Sequence, residues 1–440
     1  MLRAELRQLF RLALPLAAAQ AGTQLMTIVD VAVLGRYSAR DLAAVGFANA
    51  FFFAVTVIGM GAVFGIDPLI SQAVGAGDPI RARRALWQGV WFALAVSAVL
   101  TIPILGGAAL MSHVGVGHDL IAPSREYLLI RTTGLAPLLL FLVLRAYLQA
   151  HSITRPMIIA MIVANIVNFI GDVILVFGAS LGAAGAAMST VFASLLEVAI
   201  VATAARRMSV PTTEHIHRWN SAEILRAFRM GWPVGLQLGA EVGIFALVGV
   251  LAARLGTLQL AAHQIVLGLA SFTYTMALGV ASAGSVRVGI AVGSRQVTAT
   301  RLAGRAAFLG GAAIMTTAAV VFALAPRPLA RFLTNERQVI DVAVPLFAIA
   351  ALFQISDGLQ AVGSGVLRGA GDTHFSFVAN LIGHWFVGVP IALYLGFQRA
   401  MGIVGLWWGL FAGLTAVAVM LLYRFERLSA APIVPAAERQ

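Results

Sequence analysis

Two acidic side chains interrupt long apolar stretches in the C-terminal half of this 440-residue chain. Glu241 lies inside the apolar stretch 235–256, and Asp357 lies inside the apolar stretch 343–368. A charged side chain at the centre of a membrane-spanning helix costs roughly 2.5–3.5 kcal/mol on insertion scales, so it faces a polar cavity, pairs with another group or binds a proton. The two carboxylates therefore indicate a cation or proton site, and Na⁺ is a candidate ion at Glu241 and Asp357. The alternative is a structural hydrogen bond between helices.

The N-terminal half carries a second set of oxygen-bearing side chains in apolar surroundings. Asp30 lies near the end of the first apolar stretch, and Asn168 and Asp172 are four residues apart, so they share one face of a helix. Thr190 adds a hydroxyl group from the next stretch. Carboxylate, amide and hydroxyl oxygens suit a hard cation, and a carboxyl group in an apolar pocket also carries a proton readily. The alternative for Asp172 is an acid at a helix end.

His263 and Gln264 lie early in another apolar stretch, 259–290. Two interpretations stay open for this pair. The side chains line a polar cavity inside the membrane, or they form a satisfied polar pair in the protein core.

The composition restricts the protein to the polytopic membrane class. The chain is 60% hydrophobic and 11% charged, whereas a soluble protein has about 25% charged residues. Cysteine is absent, which excludes disulfides and thiolate metal sites. Lysine is absent too, so the chain has no Walker A lysine. The net charge of +12 reflects arginines at helix ends, and no nucleic-acid partner is expected.

Apolar segments that are long enough to cross a bilayer occur twelve times, since each span needs about 20 such residues. The fold class is therefore predicted as an all-α polytopic membrane protein. The predicted spans are 8–34, 41–68, 84–110, 121–149, 156–178, 183–205, 223–254, 259–290, 301–325, 340–368, 375–397 and 402–424. Asn220 and Glu223 give an N-cap signal for the seventh helix.

The arginine distribution predicts the orientation. If the N-terminus is cytoplasmic, the inner loops and both termini hold 21 of the 30 basic residues, all of which are arginine. Cytoplasmic loops are enriched in arginine and lysine, so both termini are predicted to be cytoplasmic. The first apolar stretch resembles a signal peptide at its start, but it continues to Leu34, so an uncleaved span is expected.

An internal repeat divides the chain into two halves. FRLALP at 10–15 matches FRMGWP at 228–233, an offset of 218 (228 − 10), and AVG at 73–75 matches AVG at 291–293 at the same offset. Six helices per half is an even number, so the two lobes are predicted to be related by a pseudo-two-fold axis along the membrane normal. The predicted organisation is an N-lobe (1–205), a cytoplasmic linker (206–222), a C-lobe (223–427) and a disordered tail (428–440).

An enzyme is not favoured by the motifs. GASLG at 178–182 fits the G-x-S-x-G hydrolase pattern, but no strand precedes it and it falls between two spans. Neither an HExxH motif nor a credible Ser/His arrangement is present. An intramembrane enzyme stays the alternative from a different functional class.

Several long segments resemble multidrug and toxic compound extrusion (MATE) transporters of the NorM-like branch. The resemblance covers nearly the whole chain and is specific because the segments occur in the right order. They are VDVAVLGRYSARDLAAVGFAN at 29–49, DPLISQAVGAGD at 67–78, NFIGDVILVFG at 168–178, LAAHQIVLGLASFTYTMALGVASAGSVRVGIAVG at 260–293 and FQISDGLQAVGSGVLRGAGDT at 353–373.

The resemblance implies a multidrug efflux antiporter. It implies twelve helices in two lobes around a central cavity, and export of cationic amphipathic compounds in exchange for Na⁺ or H⁺ by alternating access. By position, Glu241 and Asp357 match the cation site of the C-lobe. The residues that match the polar network of the N-lobe are Asp30, Asn168, Asp172 and Thr190. Phe353 stands where some relatives have a tyrosine. Phenylalanine keeps the ring face but removes an oxygen ligand.

The expected partners follow from this interpretation. They are small cationic organic substrates and membrane lipids, with Na⁺ or H⁺ as coupling ion, no further cofactor, a monomeric state and a bacterial inner-membrane location. The substrate cavity is expected to include His263, Gln264 and Phe353. The alternative within transport is a flippase of lipid-linked precursors. A flippase cavity should be lined with arginines that hold pyrophosphate, whereas the arginines here fall mostly at helix ends.

Overall fold

Twelve long helices account for most of the chain in the computed structural model, which describes residues 1–113, 117–208, 210 and 214–438. In these residues the regular structure is helical, without a strand. Each of the twelve is long and apolar enough to cross a membrane, which confirms the predicted fold class. Numbered as spans 1 to 12, they are Leu2–Tyr37, Ala39–Gly75, Pro79–His113, His118–Ala150, Arg155–Gly178, Gly182–Arg206, Ser221–Leu255, Thr257–Gly293, Val297–Leu324, Arg337–Gly369, Thr373–Gln398 and Gly402–Leu428.

Side-chain caps begin several of these spans where the sequence changes from polar to apolar. Ser38 Oγ accepts a hydrogen bond from the Asp41 backbone N–H at 3.2 Å at the start of span 2. Asn220 Oδ1 accepts from the backbone N–H groups of Ala222 at 3.0 Å and Glu223 at 3.3 Å. Such caps satisfy backbone donors that have no partner within the helix, and the predicted N-cap of span 7 is confirmed.

Paired glycines bring span 2 against the beginning of span 7. A Cβ atom on Gly61 would collide with the backbone of Gly235, and a Cβ atom on Gly65 would collide with the backbone of Gly231. Small residues allow the helix backbones to approach closely, as is common in membrane proteins. Any larger side chain at these positions would force the two helices apart.

The chain forms two compact units, Met1–Ala17 with Leu236–Gln440, and Ala18–Gly235. It passes from one unit to the other within spans 1 and 7, at points 218 residues apart (235 − 17). A proline precedes each crossing point by two residues, Pro15 in span 1 and Pro233 in span 7. The predicted lobe boundaries, which follow the sequence repeat, stay a prediction.

The segment that joins spans 6 and 7 packs on span 3 in the second unit. Gln88 holds it with both ends of its amide: Nε2 donates to the Arg218 carbonyl oxygen at 2.7 Å, and Oε1 accepts from the Asn220 backbone N–H at 2.9 Å. Trp91 Nε1 donates to the His217 carbonyl oxygen at 2.9 Å, and Arg84 pairs with Glu214. Of the predicted linker 206–222, residues 209 and 211–213 lie outside the described residues.

The C-terminal tail follows span 12, and its residues 439–440 lie outside the described residues. Within the described part, Ala436 is buried. Arg295 Nη2 donates to both carboxylate oxygens of Glu438, at 2.8 Å each. The predicted disorder of the tail stays a prediction.

Candidate functional site

The carboxylate of Glu241 lies in a cluster of polar side chains from spans 7 and 10. Gln237, one turn earlier on span 7, donates from Nε2 to Glu241 Oε1 at 3.0 Å. Gln360 on span 10 donates from Nε2 to the same oxygen at 2.7 Å. Both donors converge on one oxygen, so the two amides orient one edge of the Glu241 carboxyl group.

A second layer of hydrogen bonds holds these two glutamines in place. Gln360 Nε2 also donates to Asn380 Oδ1 on span 11 at 3.0 Å. Gln237 Nε2 donates to Ser364 Oγ at 3.0 Å, and Gln237 Oε1 accepts from Ser376 Oγ at 3.0 Å. Hydrogen bonds between polar side chains therefore join spans 7, 10 and 11 in this cluster.

Asp357 lies on span 10 one turn before Gln360, and 7% of its surface is exposed. Helical spacing of three and seven residues puts Asp357, Gln360 and Ser364 on one face of span 10. Glu241 is within electrostatic range of Asp357, and both acids are within range of Tyr274 on span 8. The structure thus brings the two predicted acids of the C-terminal half to one site.

The second unit contains a separate polar cluster from spans 1, 5 and 6. Ser189 Oγ donates to Asp172 Oδ1, and Asn168 Nδ2 lies 3.4 Å from Ser189 Oγ. Thr190 Oγ1 lies 3.4 Å from Asp30 Oδ2. Asp30 is close to Asp172 and Asn168 and within electrostatic range of Arg131. The four predicted residues of the N-terminal half are therefore neighbours.

Several acceptor oxygens of this second cluster are buried without a donor. In the described part of the chain, no group donates a hydrogen bond to Asp30 Oδ1, Asn168 Oδ1 or Asp172 Oδ2. Buried polar groups in native proteins nearly always have a partner. Two carboxylates beside each other with unpaired oxygens are suited to take up a proton or a cation.

His263 and Phe353 both pack against the indole of Trp407 on span 12. The ring centroid of Trp407 is 5.8 Å from that of His263 and 5.5 Å from that of Phe353. Both side chains are buried, at 0% and 1% exposure, and Phe353 and Trp407 belong to an apolar core cluster of the first unit. Gln264 is exposed. The expected cavity role of these three residues stays a prediction.

The acids of both clusters stand out in the sequence, but most of their hydrogen-bond partners do not. Gln237 was readable as a polar residue four positions before Glu241, and Ser189 directly precedes Thr190. Gln360 lies three residues after Asp357 on the same helix face. Asn380 and Ser376 have the same four-residue spacing on span 11, but only the packing of the spans connects them to Glu241.

Neither cluster resembles a transition-metal site. Across the residues that the structure describes, no three His, Cys, Asp or Glu side chains gather in a metal-binding group. Each cluster instead combines two carboxylates with neutral amide and hydroxyl groups. That donor set is compatible with a proton or with a weakly held hard cation.

The chain is similar to a family of membrane transporters over nearly all of its length. The MatE family model matches residues 15–174 and again 233–394, so its two matches begin 218 residues apart (233 − 15), which is the offset of the sequence repeat. The probable multidrug resistance protein NorM of Deinococcus radiodurans is 34% identical over 435 residues, which covers 96% of this chain and 95% of that protein. The multidrug resistance protein MdtK of Edwardsiella ictaluri is 30% identical over 443 residues, with 97% and 96% coverage.

Solved structures of MATE transporters have a similar fold. The eukaryotic MATE transporter AtDTX14 superposes with a TM-score of 0.86 at 20% identity, covering 98% of each chain. A MATE structure in the bent conformation gives a TM-score of 0.90 at 18% identity, with 99% and 98% coverage. The members of this family are transporters and not enzymes. With the family model matched in both halves, this chain belongs to the MatE family and is a multidrug efflux transporter of the MATE/NorM type.

Proposed function

We propose that this protein is an antiporter that exports cationic amphipathic compounds in exchange for Na⁺ or H⁺ by alternating access. The observation that carries the proposal is the convergence of two amide donors on Glu241, with Asp357 on the neighbouring span. A buried acid pair in a transporter has a physical role that a purely structural pair lacks. Its charge must be neutralised by a bound cation or proton before the site can be closed from water.

Neutralisation of a carboxylate couples export of the organic cation to entry of Na⁺ or H⁺. An empty site is a buried charge, and either the exported cation or the coupling ion offsets that charge. If the two ligands compete for the same charge, binding of one releases the other. A ligand shifts the equilibrium between two conformations only by its differential affinity for them. Glu241 and Asp357 provide such a difference, because their charge is tolerated better in the conformation that admits water.

The acceptor oxygens of the N-terminal cluster support a second coupling site in the same protein. A proton on Asp30 or Asp172 would supply one of the donors that this cluster lacks. A Na⁺ ion would satisfy several oxygens at once, including Asn168 Oδ1 and the Thr190 hydroxyl. We assign Asp30, Asp172, Asn168 and Thr190 to this site on that basis.

The orientation and location are also part of the proposal. Arginine enrichment at the loops and termini on one side supports cytoplasmic termini in a bacterial inner membrane. All the residues of both clusters come from one chain, which supports a monomer. The substrate cavity, with His263, Gln264 and Phe353, belongs to the same proposal.

Efflux from proteoliposomes tests the proposal and identifies the ion. Purified protein is reconstituted with a fluorescent organic cation, and a Na⁺ gradient and then a pH gradient are imposed separately. We expect one of the two gradients to drive the dye against its concentration gradient, and the other to have little effect. Dye movement that responds to neither gradient would contradict antiport by these ions.

A further inference from the structure

A short helix, Pro326–Leu333, joins span 9 to span 10 and presents three chemically different faces. Its inner face packs on the apolar core of the first unit: Ala330 is fully buried, and Leu329 packs against the same cluster. The side chains of Arg327 and Arg331, four residues apart, form a charged face. Phe332 lies on the third face and is 82% exposed.

Exposed apolar side chains occur at the end of span 9 and again on the short helix. Val320 and Val321 are exposed on span 9, at 49% and 46%. Leu324, the last residue of the span, is 81% exposed, and Phe332 follows one short helix later. In a span that crosses the membrane, exposed apolar side chains contact lipid, and Phe332 is a further exposed apolar side chain shortly after the end of span 9.

The charged face has groups available for an anionic partner. Arg327 Nη2 lies 3.4 Å from Asp341 Oδ1, but both side chains are more than 60% exposed, at 61% and 63%, so this ion pair contributes little stability. Arg331 and Arg337 are exposed and have no ion-pair partner in the described part of the chain. Guanidinium groups bind phosphate oxygens through parallel hydrogen bonds.

We propose that the Pro326–Leu333 helix lies in the headgroup interface of the bilayer, with Phe332 inserted among the acyl chains and Arg331 against lipid phosphates. Amphipathic helices with aromatic side chains on one face and arginine on another lie in this plane and bury the apolar face by about 5–10 Å. The short helix would thereby fix the depth of the junction between spans 9 and 10. This inference does not depend on which ion or compound the protein transports.

Spin labels test the depth of the helix directly, because the chain contains no cysteine. Single cysteines are placed at Phe332 and Arg331, with Val320 as the lipid reference and Asn335 as the water reference. Each nitroxide-labelled variant is reconstituted in phospholipid vesicles, and its collision rates with oxygen and with a water-soluble nickel chelate are measured. We expect the oxygen-to-nickel ratio at Phe332 to exceed that at Arg331 and Asn335 several-fold and to approach the ratio at Val320.

A second label guards against a change caused by the loss of Phe332. Pro328 lies four residues earlier on the same face, and Pro328→Cys leaves Phe332 intact. We expect the same preference for oxygen at this position. Ratios at both positions equal to that at Asn335 would place the helix in water and overturn the proposal. Spin–spin broadening that disappears on dilution with unlabelled protein would assign the face to a second copy of the chain, and would overturn it too.

Discussion

One amide nitrogen, Nε2 of Gln360, donates to Glu241 Oε1 at 2.7 Å and to Asn380 Oδ1 at 3.0 Å. Gln360 is 2% exposed, so both acceptors are met away from bulk water. Through this one group the acid of span 7 is fixed to spans 10 and 11. The two side chains that orient Glu241 are therefore uncharged amides, Gln237 on the same span and Gln360 on span 10.

The first prediction concerns the role of Gln360 in positioning this acid. A hydrogen bond to a charged group contributes about 1.5–3 kcal/mol, and 1.4 kcal/mol corresponds to a tenfold change in an equilibrium constant. We therefore expect Gln360→Leu to lower ion-driven dye export about tenfold or more at subsaturating ion concentration. The measurement is initial efflux rate against ion concentration in proteoliposomes.

Gln354→Leu is the matched control for this prediction. Gln354 lies on the same span, is fully buried, and donates to the Thr273 hydroxyl instead of to an acid. Both substitutions remove a buried amide, so they should lower the melting temperature in detergent by similar amounts. If Gln354→Leu impairs coupling as strongly as Gln360→Leu does, the effect comes from general loosening of span 10.

The second prediction is that Glu241→Gln uncouples transport from the ion gradient. Glutamine has nearly the same shape but can neither bind a proton nor attract a cation, so the site stays permanently neutral. The variant should insert normally and still bind the fluorescent cation weakly. Its gradient-driven efflux should fall to the rate of vesicles that contain no protein. The same result is expected for Asp357→Asn. Asp341→Asn, at an exposed ion pair of the same unit, serves as the control and should transport normally.

The third prediction is that Asp30→Asn abolishes drug resistance at a normal level of membrane protein. The asparagine amide removes the charge and supplies permanent donors to a cluster whose oxygens otherwise lack them. Growth in the presence of an organic cation measures the effect, and immunoblotting of membranes measures the protein level. Asp119→Asn, an exposed acid of the same unit, should leave resistance intact. Full resistance with Asp30→Asn would mean that this cluster is structural.

The fourth prediction concerns the segment between spans 6 and 7. Gln88 makes two hydrogen bonds to its backbone and is 2% exposed. Gln88→Ala removes both hydrogen bonds, and each such bond contributes about 0.5–1.5 kcal/mol to stability. We expect a lower melting temperature and faster tryptic cleavage after Arg218. Gln338→Ala, at an exposed position of span 10, should change neither quantity.

The sequence is sufficient to locate the helices and the acids within them, because both signals are local. A run of about 20 apolar residues identifies a span. Span 7, for example, is predicted at 223–254 and is Ser221–Leu255 in the structure. One carboxylate within such a run is conspicuous. The hydrogen-bond partners were harder to identify. Gln360 and Asn380 are neutral, and their importance depends on which spans are neighbours. That information is absent from the periodicity of any single helix.

The last prediction concerns the orientation of the protein in the membrane. The warrant is the concentration of arginines in the loops and termini of one side, 21 of 30, because arginine-rich loops are retained in the cytoplasm. His215, between spans 6 and 7, and Asn335, between spans 9 and 10, are both exposed and lie on opposite sides in this topology. A single cysteine at Asn335 should react with a membrane-impermeant maleimide in intact cells, and one at His215 should react only in inside-out vesicles. The reverse pattern would contradict cytoplasmic termini, since an even number of spans separates the N-terminus from His215.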